Sequence, residues 1–225
     1  MLGRVFVDET IVERELEVVD EVQCRKGTFD GMIVKEVIRC YPFLDFKGQV
    51  VLDIGANIGA FARYALKKEA KSVYCYEPEE CNFEMLQLNT SAFSQVSCYK
   101  KAIYSSAGKL KLYVTKTGKN PGNYSCETSG GRVPVEIDAV LFSEALACNP
   151  SIVKVDCEGS EYAFLDGKTL PAYVKQVAVE IHLTKKIWRE QEGPALIASF
   201  AGWTCLKVPK VGLKNWTTTA VWKRN

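Results

Sequence analysis

Gln49-Val-Val-Leu-Asp-Ile-Gly-Ala-Asn-Ile-Gly-Ala-Phe61, followed by Ser72-Val-Tyr-Cys-Tyr-Glu-Pro78, decides the architecture. The first half of the stretch is a β-branched run of the kind that fills a parallel strand buried on both faces. It breaks at Gly55 into a glycine loop. Ile58, Phe61, Ala62, Ala65 and Leu66 then recur at i, i+3, i+4, i+7 and i+8, which predicts an amphipathic helix. Residues 72–77 read as a second strand. Pro78 opens a further helix to about Asn89, with Cys81, Met85 and Leu88 turned inward.

Outward from this unit the alternation continues. Upstream, Phe29, Met32, Ile33, Val37 and Cys40 fall at helical spacing between a candidate N-cap, Thr28, and Pro42. Residues 1–26 alternate only loosely and suggest a short hairpin, so 1–27 reads as an extension near the acceptor site, ahead of a domain over 28–225. Downstream, strands are expected at 96–99, 110–114, 133–137, 152–156, 174–183, 203–208 and 216–222. Asp138 is read as capping a helix to about Cys148, with a short helix near Ser160 and another at 194–200. Strands and helices in alternation predict an α/β fold with a doubly wound, mostly parallel, seven-stranded Rossmann-like sheet. The last two strands, having no helix between them, form an antiparallel edge hairpin.

Composition narrows the partners. The chain has 225 residues, 47% hydrophobic and 25% charged, with a net charge of +2 and no long run of like charges. Nothing in that balance favours a nucleic-acid backbone or an acidic membrane surface. No apolar stretch approaches the roughly 20 residues that span a bilayer. The start lacks the basic-then-apolar layout of a secretory signal. Nine cysteines without a CxxC pair read as reduced thiols, so a soluble, cytoplasmic protein is expected.

In an open α/β sheet, ligands sit beyond the carboxyl ends of the strands, where the loop 55–59 falls. Glycines permit close approach, and the helix that follows offers free N–H groups. Glu77 ends the next strand, where a carboxylate accepts the two hydrogens of a ribose diol. In a dinucleotide fingerprint begun at Gly55, the other glycine positions fall on Asn57 and Ala60. Asn57 fills the space a pyrophosphate needs, which suits S-adenosylmethionine, a nucleoside without one. The alternative is a tight turn that binds nothing.

A second set of polar residues interrupts buried strands. Lys154 and Asp156 share one strand face by the period of two, as do Glu180 and His182. Buried ionisable groups are costly unless paired, so their convergence at the same sheet edge marks a working site.

Together these residues resemble the FkbM family of methyltransferases. The likeness lies in 53–61, in Tyr76-Glu-Pro78 with Asn82 and Asn89 after it, in Ile152-Val-Lys-Val-Asp-Cys-Glu-Gly-Ser-Glu161, and in Val179-Glu-Ile-His182. It covers about 28–208, and the Lys-x-Asp-x-Glu-Gly-x-Glu run is its most particular part. The resemblance implies a class I fold and S-adenosylmethionine held by Asp53, Gly55, Ala56, Asn57, Gly59, Phe61, Glu77, Pro78 and Asp156. It also implies methylation of a hydroxyl, often on a sugar, so the acceptor is expected to be a small molecule or glycan.

Each chemical role has a plain structural rival. His182, the sole histidine, suits a general base by its ordinary pKa of about 6.5, or is a hydrogen-bonded core residue. Asp156 is the rival base, kept ionised by Lys154, or half of a structural ion pair. Glu158 is read as an acceptor contact, Glu180 as a further member of the catalytic set, and Glu161 as a helix-end carboxylate favoured by the dipole. Asp156, Glu158, Glu180 and His182 together suit magnesium or manganese, but their spacing is no defined metal motif, and no metal is expected. The segment 115–132, with Asn123, Tyr124 and Ser125, is a candidate acceptor lid or a plain surface loop. Trp188, Trp203, Trp216 and Trp222 read as packing residues. The other functions weighed are methylation of a nucleic acid or protein, and a non-catalytic module that only binds the cofactor.

Overall fold

The computed structural model describes residues 2–7, 10–115, 124–126, 132–182, 192–209 and 217–225. A seven-stranded sheet runs through its centre in the order β12-β13-β11-β10-β4-β5-β6. β4 (Val50–Ile54), β5 (Ser72–Tyr76), β6 (Val96–Tyr99), β10 (Ile152–Val155) and β11 (Gln176–His182) are parallel. β13 (Thr217–Arg224) and β12 (Trp203–Lys207) complete it as the expected antiparallel edge.

The period of two divides this sheet between two cores. Val51, Val73, Ile152 and Ala178 face α1 (Asp30–Cys40), α2 (Ala60–Lys67) and α3 (Glu80–Thr90). Leu52, Ile54, Val153, Val155, Val177, Val179 and Ile181 face the other way, towards α4 (Phe142–Ala145), α5 (Glu192–Ser199) and Leu165 and Leu170. Helices on both faces bury both sides of the central strands, which is why the strands read as largely apolar runs broken only by a few ionisable residues such as Asp53, Lys154, Glu180 and His182. The tryptophans within the described residues pack as read. Trp222 stacks on Phe200 at 4.2 Å, and Trp203 meets that ring edge-on. Trp188 and Trp216 lie outside the described residues.

Four local expectations change. Asp138 caps nothing, because β9 (Val133–Leu141) runs through it and α4 starts only at Phe142. Pairing with β8 (Gly108–Val114), and in parallel with the unforeseen β7 (Ala102–Tyr104), holds this stretch extended in a second, three-stranded sheet. α3 begins at Glu80 and not at Pro78, since the Glu79 side chain accepts the Asn82 N–H at 2.8 Å and caps the helix there. Thr28 is one residue short of the α1 cap. Its hydroxyl accepts from the Asp30 N–H at 3.2 Å and donates to the Arg25 carbonyl at 2.8 Å.

The N-terminal hairpin is instead a three-stranded sheet of β1 (Leu2–Val7), β2 (Thr10–Val19) and β3 (Val22–Arg25). Its second turn is made by Asp20 and Glu21, both at positive φ (46° and 69°), a conformation usually left to Gly or Asn. The sheet shares a core with the main fold through Val22 and Cys24. Arg25, wholly buried, locks it there. Its guanidinium binds Asp30 of α1 at 2.8 and 3.0 Å, Asn82 of α3 at 2.8 Å and the Arg4 carbonyl of β1 at 3.0 Å.

Candidate active site

The carboxyl ends of β4, β10 and β11 meet at one point, and Lys154 ties them together. Its ammonium donates to the Gly55 carbonyl at 2.7 Å and pairs with Asp53 at 3.1 Å and Asp156 at 3.7 Å. Burial draws the Lys154 pKa down, but Asp53 and Asp156 outweigh it and hold the group well above the ordinary lysine range. Gly55 has φ +73°, and a Cβ there would collide with the Asp156 carbonyl. The glycine is therefore needed first by the chain itself, to bring the loop against the end of β10.

The loop also positions Glu77. Glu77 accepts the Asn57 N–H at 2.9 Å on one oxygen and the Glu79 N–H at 3.0 Å on the other. Each oxygen keeps a lone pair for a ligand. Burial pushes the Glu77 pKa up to about 7. Asn89 holds the loop from below, donating to the carbonyls of Ile58 at 2.8 Å and Gln23 at 3.0 Å.

Two cavities flank this loop. The first, of about 620 Å³, holds Glu77 and Pro78 against an apolar wall of Ile103, Leu112 and Tyr124. The second, of about 910 Å³, lies between α1 and the sheet and reaches Ala56, Phe61, Lys154 and Glu180. Gly55, Asn57, Asp156 and Glu158 line both. Of the remaining expected cofactor residues, Asp53 lies beneath the loop on Lys154. Gly59, at φ +86°, packs against Leu86 at the start of α2. Phe61 is a core ring, edge-on to Tyr41 at 5.0 Å and Phe46 at 5.7 Å.

The polar pairs of the two strands converge as their register requires. Asp156, Glu180 and His182 bring ligating atoms within 4.8 Å of one another. His182 Nε2 lies 3.3 Å from Glu158 and 4.0 Å from Asp156, while Nδ1 lies 3.2 Å from Glu161. Burial alone would lower the His182 pKa, yet Glu161 and Glu158 drive it well above 6.5. The ordinary imidazole value of 6.5 is therefore not the one that applies to His182 in this setting. Burial and the neighbouring acids raise Glu158 to about 8. Asp156 and then burial raise Glu180 to about 7.

Glu161 stands in the first turn of the short helix as expected, and it has a second duty. It is wholly buried. One oxygen accepts the His182 N–H at 2.8 Å and meets Nδ1, while the other accepts the Gly159 N–H at 2.9 Å. Despite burial, His182 holds its carboxyl below the usual range. It orients the imidazole while also serving the N-terminal end of the short 3₁₀ turn over Ser160–Ala163 in which it sits. The sequence signal was present in the Lys-x-Asp-x-Glu-Gly-x-Glu run itself. The wall contributed by α1 was missed too, although Phe29 and Met32 stand 44% and 65% exposed on a helix whose other face is buried. Among the described residues, the lining of these two cavities starts at Phe29, beyond the N-terminal sheet.

Of the candidate lid, Tyr124 closes the first cavity and the Ser125 hydroxyl donates to the Glu158 carbonyl at 2.8 Å. Asn123 lies outside the described residues. All nine cysteines are free thiols, and no helix among the described residues is long and apolar enough to cross a membrane.

Residues 53–201, more than half of the chain, match the model of the methyltransferase FkbM domain. The chain belongs to the FkbM methyltransferase family. Two relatives agree with that placement. Hexuronic acid methyltransferase AglP of Haloferax volcanii is 31% identical over 136 residues, 59% of this chain and 56% of its own length. Methyltransferase sdnD of Sordaria araneosa is 26% identical, over 60% of this chain and 67% of its own. The methyltransferase thus spans little more than half the length of the first relative. A crystal structure of methyltransferase FkbM from Methylobacillus flagellatus KT superposes with a TM-score of 0.53 at 16% identity, covering 81% of this chain and 45% of that one. At that identity the likeness is one of fold.

Proposed function

We propose that this methyltransferase takes its methyl group from S-adenosylmethionine and transfers it to a hydroxyl of a sugar or glycan. The observation that carries the reading is the meeting of two cavities at Asp156 and Glu158. One side offers a buried carboxylate beside the apolar wall of Ile103, Leu112 and Tyr124; the other offers clustered hydrogen-bond acceptors suited to hydroxyls. The name of the Haloferax relative, a hexuronic acid methyltransferase, supports a sugar acceptor. The N-terminal sheet over 1–27 acts in this reading as an appendage that fixes α1, and α1 walls the acceptor side.

The residues present fit the cofactor. Glu77, held by two backbone N–H groups, takes the ribose diol, and Ile103 and Leu112 face the base. When bound, S-adenosylmethionine supplies an electrophilic methyl on a sulfonium. The chain's share is chiefly to hold the acceptor oxygen in line with that methyl. Asp156 sits at the junction and accepts the hydroxyl proton as the new C–O bond forms. Lys154 pairs with it at 3.7 Å, and His182 lies against it and Glu158.

Glu77 makes the cofactor half testable by pH. Its folded pKa of about 7 lies above the ordinary value because burial disfavours the carboxylate. Below that pH the carboxyl carries a proton and is the poorer acceptor for the diol. Affinity for S-adenosylmethionine is therefore expected to rise with pH, about tenfold between pH 6 and pH 8, with little gain beyond. Calorimetric titration of the cofactor at several pH values reads this directly. Glu77→Gln should bind more weakly and lose the pH dependence. Absence of binding at every pH would reduce the loop to a turn and remove the proposal; binding would justify screening free and nucleotide-linked sugars as acceptors.

A further inference from the structure

We propose that Asp156, Glu180 and His182 hold a divalent cation of the magnesium–manganese class, through which the acceptor's hydroxyls are bound. The second clause rests on the function proposed above; the cation site does not.

The case begins with topology. Asp156 follows β10 and the other two residues end β11, so parallel pairing of adjacent strands carries all three to one spot. Their ligand atoms lie within 4.8 Å of one another, which is the spacing of groups that share a partner between them. The imidazole is prepared for such a partner. His182 is 3% exposed, and Glu161 engages both its Nδ1 and its backbone N–H, which fixes the ring with Nε2 turned into the cluster. A carboxylate behind an imidazole is the support that metal-binding histidines ordinarily have.

Asp156 is divided in the same sense. Its Oδ2 faces Lys154 at 3.7 Å, and its Oδ1 faces His182. One oxygen belongs to the structural ion pair and the other is turned to the shared space. Glu180 is steadied by the Thr217 side chain.

Charge argues for the same occupant. Asp53, Asp156, Glu158, Glu161 and Glu180 bring five carboxylates into this buried neighbourhood against two cations, Lys154 and His182. The Lys154 ammonium is already committed to Asp53 and the Gly55 carbonyl. A divalent ion taking the place of the proton on Nε2 adds one positive charge to the site and offsets part of that excess. Two carboxylates and one imidazole, with no thiolate in the set, suit a hard, oxygen-seeking cation. Asp156 and Glu180 line the 910 Å³ cavity, so the coordination positions they leave face the space given to the acceptor. A cation there would lower the pKa of a bound hydroxyl, easing loss of its proton.

The test uses the whole chain stripped with EDTA and titrated with Mn²⁺, the free ion being followed by electron paramagnetic resonance. One saturable Mn²⁺ per chain is expected. Glu161→Gln should weaken it by about 10–100-fold, the usual cost of losing the carboxylate behind a ligating histidine. Glu180→Gln, at a partly buried position on β11, should weaken it at least as much, and so keeps the test valid if Glu161→Gln does not fold. No saturable binding overturns the proposal, and so does saturable binding that both variants weaken by less than about tenfold. S-adenosylmethionine titrated in EDTA is read separately. Its binding is expected to persist without metal, so failure of the cation site and failure of the cofactor reading are told apart.

Discussion

Asp156→Asn is expected to lower kcat for methyl transfer by about 10²–10⁴-fold, the range a positioned proton acceptor contributes. The substitution keeps the size of the side chain and its place at the junction of the two cavities. What it removes is the charge that accepts the hydroxyl proton and balances Lys154 3.7 Å away. A sugar hydroxyl is a weak acid, so without an acceptor for its proton the oxygen remains a poor nucleophile. The measurement is turnover at saturating cofactor and acceptor, which keeps any change in cofactor affinity out of the comparison. If kcat stays within about threefold of the parent, positioning carries the chemistry alone and Asp156 is not the acceptor of the proton.

The second large effect is on stability. Arg25→Met is expected to cost about 3–5 kcal/mol, because it leaves Asp30 buried and ionised without its partner. Both side chains have zero exposure, and the guanidinium also serves Asn82 and the Arg4 carbonyl. Four elements, β1, β3, α1 and α3, therefore lose a common centre at once. Against a total stability of roughly 5–15 kcal/mol for a domain, that is a large share. Urea unfolding reads the loss. Adding Asp30→Asn should recover part of it, since a neutral amide is far cheaper to bury than an unpaired carboxylate. A cost below about 1 kcal/mol would place Arg25 among the weakly contributing ion pairs and remove it as the lock of the N-terminal sheet.

The central sheet was legible because its signals are local. A β-branched run, a glycine break and an amphipathic helix of period 3.6 are properties of neighbouring residues, and burial on both faces makes the strands uniformly apolar. The same logic located Lys154, Asp156, Glu180 and His182, since ionisable residues stand out in strands that are otherwise apolar. The third N-terminal strand was not legible. Its turn uses Asp20 and Glu21 at positive φ, where the usual glycine signal is missing. β7 was hidden by its length of three residues, and the extension of β9 past Asp138 by pairing with strands that the local pattern does not reveal.

The sequence by itself thus determined the α/β class, the doubly wound order of the central unit and the identity of the polar residues at its edge. Tertiary structure alone decided what those residues are. Glu161 becomes the support of an imidazole 21 positions away. Gly55 is required by a carbonyl of another strand, and the pKa of His182 is raised by Glu161 and Glu158, which meet it only in the folded chain. The physical reason is the same throughout. Periodicity is set by bonded neighbours, whereas charge state, orientation and steric need are set by groups that meet only when distant strands pair.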